Sequence, residues 1–149
     1  MEPSTVREAI AAAARAVVLP PGLPRLTATG YTPDAITEPH FFCGEYSIDY
    51  DKAMARGRDH IELTCRVLVG RQDDATSQRV LDALLAGSGE TSLKAAIEAA
   101  RGAPGEPALG GAADDLHVMR VQGYRWYEHQ DATFVGAELV IKIIGKGAS

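Results

Sequence analysis

The segment His60–Val69 constrains the fold more than any other stretch of this chain. Ile61, Leu63, Cys65, Val67 and Val69 fall on one side of an extended backbone, and His60, Glu62, Thr64 and Arg66 fall on the other. A period of two held this long predicts a strand with one covered face. Such a strand belongs in an antiparallel sheet, because parallel sheets are covered on both faces.

Other segments supply neighbours for it. His40–Ile48 is rich in aromatic and β-branched residues and predicts a second strand. Leu116–Tyr127 and Ala132–Ile144 predict two long strands joined around Glu128–Asp131, with Ala137, Leu139, Ile141 and Ile143 sharing one face of the last. A short strand is expected at Arg25–Thr29. The turn Gly30–Asp34 and the boundary at Pro39 separate it from the next strand.

Helical periodicity occupies the remainder. Ser4 is placed to cap a first helix to about Val18, with Val6, Ile10, Ala13 and Val17 on one stripe, and Pro20-Pro21-Gly22-Leu23-Pro24 ends it. Asp73 or Asp74 is placed to cap a second helix to about Ala86, with Val80, Leu81, Leu84 and Leu85 inward. Gly87-Ser88-Gly89 stops it. A third helix starts near Thr91 or Ser92 and buries Leu93, Ala96, Ile97 and Ala100. Gly102–Ala113 is expected to be a flexible connection and Gly145–Ser149 a loose tail. Runs of one element type, rather than strict alternation, predict an α+β domain. Its mostly antiparallel sheet has four to five strands, with helices packed on one face.

Composition narrows the function classes. At 149 residues the chain is sized for one domain and one core, residues 1–149. Fifteen basic against twenty acidic residues give a net charge of −5, which argues against a stand-alone nucleic-acid binder. Two cysteines are too few for a disulfide scaffold. No stretch approaches the ~20 apolar residues of a membrane span. The N-terminus carries Glu2 where a signal peptide would carry base, so the expectation is a chain made and kept in the cytoplasm, or leaving by a route other than secretion.

Each candidate for chemistry has a simpler structural account. Pairing Ile48 with His60 across the intervening loop also places Cys43 opposite Cys65. A metal or redox site is then conceivable, but two small buried apolar residues are the better reading. His40, His60, His117 and His129 show no metal-ligand spacing and read as surface or hydrogen-bonded histidines. Gly87-Ser88-Gly89-Glu90-Thr91-Ser92 resembles a phosphate loop, but Glu90 stands where a Walker lysine belongs, so it reads as a helix stop followed by a helix cap. Tyr124, Trp126 and Tyr127 form an aromatic group suited to core or interface packing. Only Arg120 and Arg125 would support a base-stacking role. Asp49–Asp59 is a charged hairpin loop in which Asp49, Asp51 and Asp59 alternate with Lys52, Arg56 and Arg58. With Glu45 the aspartates are conceivable as an acid pair or a cation site, but mixed signs at this density better suit a solvated loop or a contact between subunits.

Several phrases together resemble the tail terminator family of long-tailed bacteriophages. They are Gly30-Tyr31-Thr32-Pro33-Asp34-Ala35-Ile36-Thr37-Glu38-Pro39 before a strand, Tyr50-Asp51 to Arg56-Gly57-Arg58-Asp59, and Val67-Leu68-Val69-Gly70-Arg71 with Asp73-Asp74. Gln78, Leu81-Asp82, Leu84-Leu85, Gly87-Ser88-Gly89 and Ser92 continue the pattern, and a Tyr-rich hairpin with Gly136-Ala137-Glu138-Leu139 closes it. The likeness spans roughly Leu23 to Ile144.

It implies a non-enzymatic virion protein of the tail-neck region, made in the bacterial host cytoplasm, without cofactor or metal. Its partners would be further copies of itself in a ring, commonly a hexamer, together with the major tail tube protein and a head completion or connector protein. Genome DNA would pass through the lumen without sequence-specific binding. Asp49, Asp51, Lys52, Arg56, Arg58, Asp59 and Arg71 are the expected subunit or tube contacts. The alternatives are another small neck, tail-completion or head-completion protein, a small enzyme using His40 or His60 with Cys43 or Cys65, and a monomeric ligand-binding module.

Overall fold

A computed structural model describes residues 1–21, 23, 25–36, 39–50, 58–71, 75–103, 105–129 and 131–146, with the backbone alone at Arg71 and Lys146. Five strands, β1 (Thr27–Thr29), β2 (His40–Asp49), β3 (Arg58–Arg71), β4 (Asp115–His129) and β5 (Ala132–Lys146), form one sheet in the order β1-β2-β3-β5-β4. Only the β1–β2 pair is parallel. Three helices, α1 (Pro3–Ala14), α2 (Ala75–Leu84) and α3 (Leu93–Glu98), complete the α+β architecture. None of the described helices is long and apolar enough to cross a membrane.

The core lies between the helices and one face of the sheet. β3 contributes Ile61, Leu63, Cys65, Val67 and Val69, the side predicted from alternation, and β5 contributes Val135, Ala137, Leu139, Ile141 and Ile143. Val6, Ile10, Ala11 and Ala14 of α1 close over them, with Leu81 and Leu84 of α2 and Leu93 and Ile97 of α3. α2 lies against β3 and β5, and α3 lies against α1 and β4.

Helix ends depart from expectation. α1 is capped by Glu2 rather than Ser4, its carboxylate accepting from the Ser4 and Thr5 amides at 3.1 Å each. Hydrogen bonds from the Ser4 and Thr5 hydroxyls and backbone hold this carboxyl down at about 2. Pro3 occupies the first helical position, where a missing N–H costs nothing, so the helix begins one residue before Ser4. It also stops at Ala14 instead of Val18. Ser92 caps α3 by accepting from the Ala95 amide at 3.0 Å, as a helix stop followed by a cap requires. The expected caps of α2, Asp73 and Asp74, lie outside the described residues.

Within Gly102–Ala113, expected to be a flexible connection, the second half from Ala108 to Ala113 is folded onto the core. One short 3-10 turn, Ala99–Arg101, precedes the segment, and another, Leu109–Gly111, lies within it. Ala108 and Ala113 bridge each other, and Ala108, Leu109 and Ala113 enter the core. Small apolar side chains keep this segment in place although its composition resembles a linker. The tail expected from Gly145 is likewise shorter: Gly145 and Lys146 extend β5 opposite Asp59 and Arg58, and residues 147–149 lie outside the described residues.

Candidate functional site

The charged hairpin is narrower than its sequence suggests. Asp49 ends β2, while Arg58 and Asp59 already belong to β3, drawn into the ladder by pairing with Lys146 and Gly145. Asp51, Lys52 and Arg56 lie outside the described residues. Asp59 is buried within the chain, so it is not a solvated loop residue. Arg58 pairs with Asp114 of the same chain at 3.1 Å, with both side chains largely exposed; such a pair adds little stability. Arg71 stands at the far end of β3, opposite Phe134.

The cysteines meet, but not through the register that makes their contact conceivable in sequence. Asp49 pairs with His60 and Ile48 with Ile61, one residue off the expected register. A bulge between Cys43 and Tyr46 absorbs one residue of β2 and returns Cys43 to a position opposite Cys65. Their sulfurs lie 3.7 Å apart, buried and unbridged, and the Cys43 thiol also reaches the Arg7 carbonyl at 3.6 Å. Burial, reinforced by Cys43, pushes the Cys65 thiol above its ordinary range. A catalytic thiol needs the opposite environment, exposed and electropositive.

His40 is buried and held from both sides. Its Nδ1 lies 2.6 Å from the Thr27 hydroxyl and its Nε2 lies 3.1 Å from the Thr29 hydroxyl. The two hydroxyls also donate to the Pro39 and Tyr31 carbonyls. A neutral ring has one N–H to offer, so one threonine must turn its proton from its carbonyl to the ring. Burial holds the His40 pKa below its ordinary value, with the nearby positive charge of His129 and Arg15 acting in the same direction. His129, on the other side of Phe42, donates from Nε2 to the Pro33 carbonyl at 2.8 Å.

The face of the sheet away from the helices is sparsely covered. Phe42, Leu68, Tyr127 and Phe134 form a small cluster at one end, with Ile36 packed on it. Beside it, Arg66 pairs with Glu138 at 3.0 Å, and the guanidinium groups of Arg66 and Arg125 approach the Tyr127 ring at 4.4 and 4.7 Å. The Tyr127 hydroxyl donates to the carbonyl of Gly123, which sits in a bulge of β4 at φ 63°. Burial, with Glu138 adding to it, raises the Tyr127 phenol.

The aromatic group of β4 is therefore split, not clustered. Tyr127 is buried on the open face. Trp126 pairs with Val135 and so lies on the helix side of the sheet, yet it remains 47% exposed. Tyr124, close to Asp82 of α2, is 46% exposed, and Met119 and Val121 are 41% exposed each. Of the eight large hydrophobic side chains exposed among the described residues, four lie on this one edge strand. Alternation alone does not reveal this concentration, because two bulges reset the parity between Val118 and Arg125.

Among the described residues no three His, Cys, Asp or Glu side chains cluster as a metal-binding group. Neither a known protein family nor a curated protein matches this sequence.

Proposed function

We propose that this chain is a structural protein of a bacteriophage tail neck, a tail terminator. A ring of its copies caps the completed tail tube and joins it to the head connector. The observation that carries this reading is the concentration of exposed Met119, Val121, Tyr124 and Trp126 on edge strand β4. Large apolar side chains left uncovered together are the mark of a surface that meets another protein. The resemblance of Leu23–Ile144 to tail terminators names the kind of assembly. Its punctuating phrases fall at structural junctions, with Gly70-Arg71 at the end of β3 and Gly87-Ser88-Gly89 between α2 and α3.

One face of the ring would match the last ring of tube protein and stop its growth; the other would match the connector. A heterologous contact repeated by a closing rotation generates such a ring. An assembly of chains of net charge −5 is acidic overall, which lets DNA pass through its lumen without the basic phosphate contacts that make it stick. Asp49, Arg58, Arg71 and the intervening Asp51, Lys52 and Arg56 are the charged candidates for tube or subunit contact; Asp59 is buried and drops out.

Negative-stain imaging of the purified protein, with and without tail tubes, together with light scattering, tests the reading. Rings of about six copies, or a cap at one tube end, are expected. A strict monomer that ignores tubes would overturn it. Selective binding to connector rings would instead assign the chain to another neck or head-completion protein, and thermal stabilisation of a monomer by a small molecule would favour the ligand-binding module.

A further inference from the structure

We propose that the outer flank of β4 in one protomer packs head-to-tail against the free flank of β2 in the next copy of the chain. The inference rests on the ring reading for closure, and on the two sheet edges for everything else. β1 covers β2 only from His40 to Phe42, so from Cys43 onward β2 has no strand on its outer side among the described residues. β4 is the opposite edge of the same sheet.

Three properties make these flanks complementary. The first is direction. β2, β3, β5 and β4 are successively antiparallel, so β4 runs against β2, and a neighbour related by rotation about the strand direction meets β4 with an antiparallel β2.

The second is the match of faces. Val121 and Trp126 oppose Leu139 and Val135 on the helix side, while Tyr46 and Ile48 oppose Leu63 and Ile61 on that same side. Exposed apolar groups thus meet a half-exposed tyrosine and an isoleucine.

The third is charge. Met119–Tyr127 contains Arg120 and Arg125 and no acid, with Arg120 3.7 Å from Glu62 of β3. Gly44–Tyr50 instead contains Glu45 and Asp49 and no base, with the Arg7 guanidinium of α1 5.5 Å from the centre of the Tyr46 ring. Two β4 flanks would set arginine against arginine, so the charges favour the head-to-tail contact over a symmetric dimer.

The bulges at Cys43/Tyr46, Val118/Arg120 and Gln122/Arg125 interrupt any continuous main-chain ladder. They leave side chains to carry the contact, and they protect the edges against unlimited sheet growth.

Sedimentation velocity of the full chain as wild type, Arg125→Glu, Glu45→Arg and the double variant tests this contact, with thermal melts to confirm folding. Each single variant is expected to need at least about tenfold more protein to associate, equivalent to about 1.4 kcal/mol. The double variant, and an equimolar mixture of the two singles, should restore wild-type association. Trp126→Ser provides a second probe that leaves charge unchanged, and it should weaken association as well. Wild-type rings that persist unchanged in Arg125→Glu and Trp126→Ser would overturn this contact while leaving the ring reading intact. A wild type that stays monomeric both alone and on tail tubes would overturn both.

Discussion

β4 and β5 are strands of equal length, 15 residues each, hydrogen-bonded to one another from end to end, and they have opposite fates. β5 is flanked by β3 and β4 and covered by α2; Val135, Ala137, Leu139, Ile141 and Ile143 are at most 1% exposed. β4 has a neighbour on one side only. Leu116 and Val118 are buried where α3 lies over the start of the strand, but from Met119 to Trp126 neither a helix nor a strand among the described residues completes the cover. Burial in this sheet is set by place in the strand order and by where the helices end. Apolar character alone does not decide it, since Val121 and Trp126 point to the same side as the buried row.

The difference should appear most strongly in matched truncations. Ile141→Ala removes a fully buried side chain from the β5 row and is expected to cost about 2–5 kcal/mol of unfolding free energy. Val121→Ala, on the same side of β4, should stay within about 0.5 kcal/mol in the isolated protomer. Urea unfolding of both variants checks the pair. Equal losses would mean that β4 is covered in solution by something the single chain lacks.

Backbone proximity sharpens the contrast. A Cβ at Gly136 of β5 would run into the Val67 carbonyl, which cannot retreat without moving β3, and into the end of the Leu68 side chain. Gly136→Ala is therefore expected to destabilise by about 1–3 kcal/mol, the usual range for overpacking. Its cross-strand partner Arg125 is exposed, and Arg125→Ala should cost less in a thermal melt.

How much of this was legible in the sequence follows the same line. The buried rows of β3 and β5 were readable because alternation runs unbroken through Ile61–Val67 and Ala137–Ile143. The Cys43–Cys65 pairing was not secured by sequence: it followed only from an Ile48–His60 register that is one residue off, and an unseen bulge restores it. The start of β3 at Arg58 was not readable, because Arg58 and Asp59 are charged and join the strand only through the ladder to β5. The packing of Ala108, Leu109 and Ala113 was hidden for the converse reason: they sit in a run of alanine and glycine that gives no periodic signal. The exposed strip of β4 was hidden by its two bulges and by the reach of α2 and α3, which no local pattern encodes. The candidate site is tertiary in origin, and of the charged hairpin, conspicuous in sequence, the described ends Asp49, Arg58 and Asp59 belong to strands.

A smaller effect concerns the other edge of the sheet, where His40 locks β1 to β2. Its pKa in the folded chain lies below the ordinary 6.5. The unfolded chain therefore takes up the proton first as pH falls, and the stabilisation present above 6.5 is lost progressively below it. Wild-type melting temperature should fall between pH 7 and 5, and His40→Gln should show a shallower fall from a lower starting value. Parallel slopes in the two proteins would remove His40 from the account.

The smallest expected effect lies where α3 stops short of covering β4. Lys94 and Glu98 form an i,i+4 pair on α3 at 3.1 Å, with the Lys94 side chain 44% exposed, close to His117 of β4. The pair orders one exposed turn, and solvent and salt screen it, so Lys94→Ala should cost about 0.3–0.5 kcal/mol at low ionic strength. The loss should shrink in 1 M salt. A loss several times larger would mean that Lys94 also holds α3 against β4, and that the boundary between the covered and uncovered halves of the strand is set by this side chain as well as by the length of the helix.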